Sequence, residues 1–199
     1  MYIDIEKFIC ERNRPENTVH YGKTKRFEMA KQQLELPIVD IKCIIDLTNQ
    51  FIKGYGLNEY NGENIVKTEN IDLNKFNKNT KKLYKGITSE KDIVWMKFTA
   101  GKKRVGVVAC SNDVNFDIPP TKEDYDVVLK TKRWKYNTSG ILVHSAGLSW
   151  DESFFLVFPL LGLKDGKDGK KQRHDLETGI GNYLISKNVP IVDYFSHRF

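Results

Sequence analysis

Asp92-Ile-Val-Trp-Met-Lys-Phe-Thr-Ala-Gly-Lys-Lys-Arg-Val-Gly-Val-Val-Ala-Cys110 is where the pattern of this chain changes, and its reading decides the fold. Ile93 to Thr99 and Arg104 to Cys110 are rich in β-branched and aromatic residues, and Ala100-Gly-Lys-Lys103 between them has the length and composition of a hairpin turn. Downstream, Tyr125 to Tyr136, Ile141 to His144 and Ser153 to Leu160 read as further strands. Strands mostly joined by short connections imply an antiparallel or mixed sheet.

Upstream of the hairpin the reading is mainly helical. Ile3 to Ile9 is a short apolar segment, followed by a polar loop around Asn13 to Asn17. Lys25 to Leu36 consists of good helix formers and stops at Pro37. From Val39 to Lys53 the residues Ile41, Ile44, Ile45 and Ile52 recur at helical spacing, with Thr48 as the polar member of the stripe and Gly54 as the stop. Residues 54–90 are rich in Asn, Lys and Gly and read as a long excursion, a lid or binding arm.

After the sheet, Asp165-Gly-Lys-Asp-Gly-Lys170 reads as a charged loop. A helix from Asp175 to Lys187 follows, with Leu176, Ile180, Tyr183 and Leu184 on one stripe, then Pro190 and a final strand from Ile191 to Phe195. The expectation is a single α+β domain over residues 1–199. N-terminal helices pack on a mostly antiparallel or mixed sheet, closed by a C-terminal helix and strand.

Composition limits the function classes. A chain of 199 residues with 40% hydrophobic content can bury a sizeable core without staples. Three cysteines, Cys10, Cys43 and Cys110, are odd in number and each has an apolar neighbour, which suits buried thiols in a reducing cytoplasm rather than a disulfide framework. No run approaches the roughly 20 apolar residues of a membrane span. The formal net charge of +6 favours an anionic partner, nucleic acid first, although lysine abundance also suits a merely solvated surface.

Three of the four histidines, His144, His174 and His197, fall in the C-terminal third beside polar or acidic neighbours. His174 and Glu177 are three apart on the last helix and within reach of each other. With Asp175 as N-cap, that helix terminus would attract an anion such as a nucleotide phosphate. Gly179 and Gly181 are costly in a helix interior and suggest that something, a substrate among the options, passes close over that face. Asp151, Glu177 and Asp193 are the candidate ligands for a divalent metal, Mg²⁺ or Mn²⁺, with His144, His174 and Glu177 as the candidate catalytic groups. Lys130, Lys132, Arg133, Trp134 and Lys135 interleave cations with an aromatic ring, a pattern suited to a nucleic-acid backbone with stacked bases, or to a guarded edge strand. Lys102, Lys103 and Arg104, and Lys167, Lys170, Lys171 and Arg173, extend the basic surface.

Phosphate-loop, Cys-x-x-Cys zinc, His-Glu-x-x-His and Gly-x-Ser-x-Gly motifs are absent from the sequence. An acidic residue two positions before a lysine, a spacing that serves metal-dependent nucleases when it lies on a central strand, occurs at Asp40, Asp165 and Asp168, none of them on an expected strand. The function expected is nucleic-acid binding, with metal-dependent nuclease chemistry at the C-terminal residues. The alternative is a non-catalytic interaction or inhibitor protein that uses the 54–90 excursion to engage another macromolecule.

Overall fold

A computed structural model describes residues 3–10, 32–60, 62, 64–66, 92–99, 104–111, 147–148 and 153–194. The fold is α+β. In chain order the elements are α1 (Ile5–Cys10), α2 (Ile41–Gly54), β1 (Ile65–Val66), β2 (Ile93–Thr99), β3 (Gly106–Ser111), β4 (Ser153–Pro159), α3 (Gly166–Ser186) and β5 (Ile191–Tyr194). The strands form one mixed sheet in the order β1-β4-β2-β3-β5.

The expected hairpin is present, with Val94 opposite Cys110 and Phe98 opposite Gly106. Strand β4 pairs antiparallel to β2 on its other side, and β5 pairs parallel to β3. Strands β3, β4 and β5 therefore run in one direction, and their carboxyl ends share an edge of the sheet with the start of β2. The backbone joins these ends directly, since Leu160 N–H donates to the Asp92 carbonyl at 2.9 Å.

The period of two sends Val94, Met96, Phe98, Val108, Leu156 and Phe158 to one face, where they share a core with Ile44, Phe51 and Ile52 of α2 and Leu176, Ile180, Tyr183 and Leu184 of α3. The opposite face is buried as well, through Ile93, Phe155 and Val157. Two buried faces explain why β2 and β4 read as continuous apolar runs rather than alternating ones.

Helix α2 begins at Ile41, two residues after the start read from sequence. Asp40 caps it by accepting from the Lys42 N–H at 2.6 Å. Thr48 is fully buried and returns its hydroxyl to the Ile44 carbonyl at 2.7 Å, which is how a polar residue sits in the apolar stripe. Asp40→Ala should lower the unfolding free energy by about 1 kcal/mol, the usual worth of an N-cap, as read from urea denaturation; no change would remove the capping role. Gly54 is still helical, and it is Gly56, at φ +95°, that takes the left-handed turn.

Several expectations change. The N-terminal apolar segment is the helix α1, whose Phe8 ring meets Tyr183 edge-on at 5.3 Å. The excursion is partly built into the sheet, because Ile65–Val66 pairs with β4 and Asn58 bridges to Leu161. The Asp165–Lys170 stretch is not a loop. Asp165 is the N-cap and the helix begins at Gly166, so α3 spans 21 residues and Asp175 lies in its third turn. The strands expected over 125–136 and 141–144, most of 54–90, and most of the helix expected over 25–36 fall outside the described residues. Among the described residues, no helix is long and apolar enough to cross a membrane.

Candidate functional site

The first half of α3 lies over the carboxyl end of β3, and three side chains meet there. Cys110 is the penultimate residue of β3 and, by the same alternation as Val108, faces the helices. Its thiol donates to Glu177 Oε2 at 3.2 Å and lies 3.6 Å from His174 Nδ1. His174 Nδ1 is 3.4 Å from Glu177 Oε2. The approach expected of two residues three apart on a helix is realised, with a cysteine as the third member.

The cluster grades from interior to surface. Glu177 has only 4% of its side chain exposed, and His174 has 25%. Beside them Arg173, 11% exposed, is paired with Asp92 at the entrance of β2. Burial pushes the Cys110 thiol well above its usual range, and the neighbouring Glu177 carboxylate pushes it the same way against an opposing pull from Arg173. Without a metal Cys110 is therefore a protonated hydrogen-bond donor and a poor nucleophile. Iodoacetamide should modify the exposed Cys43 and spare Cys110 in the folded protein, as read by peptide mass spectrometry; rapid labelling of Cys110 would contradict this assignment.

The glycines have a packing explanation. A β-carbon on Gly179 would sit 2.5 Å from the Phe51 ring, and one on Gly181 would sit 2.4 Å from the Tyr194 ring. The close approach inferred from sequence is real, but the partners are α2 and β5 rather than a substrate. The helix terminus proposed as an anion site also moves. Asp175 is mid-helix and pairs with Lys171 at 2.9 Å, so His174 and Glu177 have no free N–H groups of a first turn beside them.

Among the described residues, Cys110, His174 and Glu177 are the one group of three donors close enough to hold a metal. Asp193 lies on β5 with its backbone opposite Val107, and its side chain falls outside the described residues. So do His144, Asp151, His197 and the whole Lys130, Lys132, Arg133, Trp134 and Lys135 segment. Of the described basic residues, Lys171 and Arg173 are committed to Asp175 and Asp92. Lys164, Lys167 and Lys170 are exposed at the start of α3. Lys167, Lys170, His174 and Glu177 follow one another at intervals of three, four and three, which lines them along one side of the helix.

Sequence reading passed over Cys110 because its partners are 64 and 67 residues away. The signal that finds it is local: position 110 shares parity with Val108, so it belongs to the helix-covered face at the end of a strand. No family model, curated protein or solved structure matches this chain.

Proposed function

We propose that this protein binds nucleic acid and cleaves its phosphodiester backbone at the Cys110, His174 and Glu177 cluster with the aid of a divalent metal. The observation that carries the reading is the meeting of His174 and Glu177, both expected from sequence to be catalytic, at the carboxyl ends of three like-directed strands. In open sheets with helical crossovers, that end is where ligands bind. The exposed lysines of α3 lead along the helix to the same point, and the net charge of +6 suits a polyanion.

Roles follow from burial. Glu177, held inside, is suited to fix a cation together with Cys110 and His174 beside it, and the partly exposed His174 marks the side from which a substrate would approach. A bound cation would polarise a phosphoryl oxygen and acidify a water. Lys164, Lys167 and Lys170 would position the backbone without reading its sequence.

The test is a gel-shift and cleavage assay of single- and double-stranded DNA and RNA, with and without divalent metal, at low and moderate salt. Metal-dependent cleavage supports the reading. A salt-sensitive shift without cleavage reduces it to a binder, and neither outcome at any salt transfers the weight to recognition of a protein partner. Within this reading, Lys167→Ala with Lys170→Ala should weaken binding across all sequences and flatten the log-affinity against log-salt slope by about 2. An unchanged slope would take these lysines out of the interface.

A further inference from the structure

We infer that Cys110, His174 and Glu177 form a three-donor site for zinc or a similarly borderline-soft divalent ion, with the fourth position left to water or a substrate oxygen. The inference deepens the proposed function by naming the metal class, but it concerns binding and stands or falls separately from cleavage.

The geometry of the donors carries it. A tetrahedral zinc centre with Zn–S of about 2.3 Å and Zn–N or Zn–O of about 2.0–2.1 Å has donor-to-donor edges of about 3.3–3.6 Å. Sγ to Nδ1, Nδ1 to Oε2 and Sγ to Oε2 are 3.6, 3.4 and 3.2 Å. The two edges to Nδ1 already have the lengths of such a tetrahedron, and the Sγ–Oε2 edge, closed by the thiol hydrogen bond, would open by a few tenths of an ångström as that proton gives way to the ion.

The second observation is the condition of Glu177. Its carboxylate is almost wholly buried, yet among the described residues its hydrogen-bond partners are a thiol, which is a weak donor, and an imidazole nitrogen at 3.4 Å. A buried carboxylate ordinarily has stronger compensation, and a cation between the three donors supplies it.

Donor chemistry selects the ion. Carboxylates alone suit Mg²⁺ or Mn²⁺, the ions expected from sequence, whereas a sulfur and an imidazole shift the preference to zinc. Binding replaces the S–H bond of Cys110 by a sulfur–metal bond and releases that proton to solvent. His174 binds through Nδ1 and keeps its proton on Nε2. Three protein donors with one open position is the arrangement of a catalytic rather than a structural zinc.

The experiment uses the full chain, stripped with a chelator and titrated with Co²⁺ as a coloured substitute for zinc. The expected result is saturation at one equivalent with a thiolate-to-cobalt charge-transfer band in the near ultraviolet. Zn²⁺ should bleach that band, and Mg²⁺ should not. Cys110→Ser should abolish the band, and Glu177→Gln should weaken Co²⁺ binding more than about 100-fold, beyond the roughly 10–100-fold that loss of an outer partner of a ligand usually costs. Cys43→Ser should leave both unchanged, and circular dichroism establishes that each variant is folded. Absence of Co²⁺ binding, binding without the thiolate band, or a band that survives Cys110→Ser would overturn the site. A thiolate band in a protein that cleaves no nucleic acid upholds the metal site and removes the nuclease reading. Mg²⁺-dependent cleavage unaffected by Cys110→Ser overturns this site while leaving nuclease activity in place.

Discussion

Glu177→Gln should reduce metal-dependent cleavage by about 10²-fold or more, while the unfolding free energy stays within about 1 kcal/mol of the parent. The substitution keeps the volume of a side chain that is 4% exposed, and the amide oxygen can still accept from the Cys110 thiol. What it removes is the negative charge that would hold a cation and pair with His174. A purely structural Glu177 predicts the opposite pattern, in which stability shifts and the activity per folded molecule does not. Cleavage rates normalised to the folded fraction separate the two, and an undiminished rate would take Glu177 out of the chemistry.

Phe51→Ala should cost about 3–5 kcal/mol of folding stability, enough to leave a domain of ordinary stability largely unfolded. Phe51 is fully buried where α2 crosses α3, with its ring 5.5 Å from that of Tyr183 and 6.2 Å from that of Phe8. It also fills the space over Gly179, so truncation opens a cavity at the junction of α1, α2 and α3. The converse change, Gly179→Leu, drives a side chain into the same ring and should also be severely destabilising. Urea denaturation followed by circular dichroism reads both. A loss below about 1 kcal/mol for Phe51→Ala would mean that the helical layer does not depend on this contact.

The legible parts of the fold were those in which local signals agree. In α2, the spacing of Ile41, Ile44, Ile45 and Ile52 and the glycine near its end mark one helix, and the structure follows them to within two residues at the start and one at the end. The hairpin was legible because Gly101 with two lysines separates two β-branched runs, and those runs do pair antiparallel. The stripe Leu176, Ile180, Tyr183 and Leu184 was legible because all four lie in the core.

The start of α3 was not legible, for a physical reason. Gly166, Gly169 and three nearby lysines have the composition of a loop, but Gly169 is buried where a β-carbon would lie 1.9 Å from the Lys164 carbonyl oxygen. A side chain is excluded there, and the backbone continues as helix with the Lys164 N–H held by Gln172 at 2.9 Å. Tertiary closure thus outweighs intrinsic propensity. The candidate site was half legible for a related reason. The pair His174 and Glu177 is a matter of helical spacing, whereas the parity of Cys110 with Val108 gives only its face of the sheet, and its meeting with the pair depends on where α3 crosses β3.

The central claim is that metal, donors and nucleic acid meet at the carboxyl ends of β3, β4 and β5, over the first half of α3. It is tested most directly by adding metal back to the stripped protein and measuring single-turnover cleavage of end-labelled RNA and DNA. The account predicts no cleavage without metal and a rate that rises to a plateau at one metal ion per chain. Cleavage by the stripped protein, or none at any metal concentration, would contradict it.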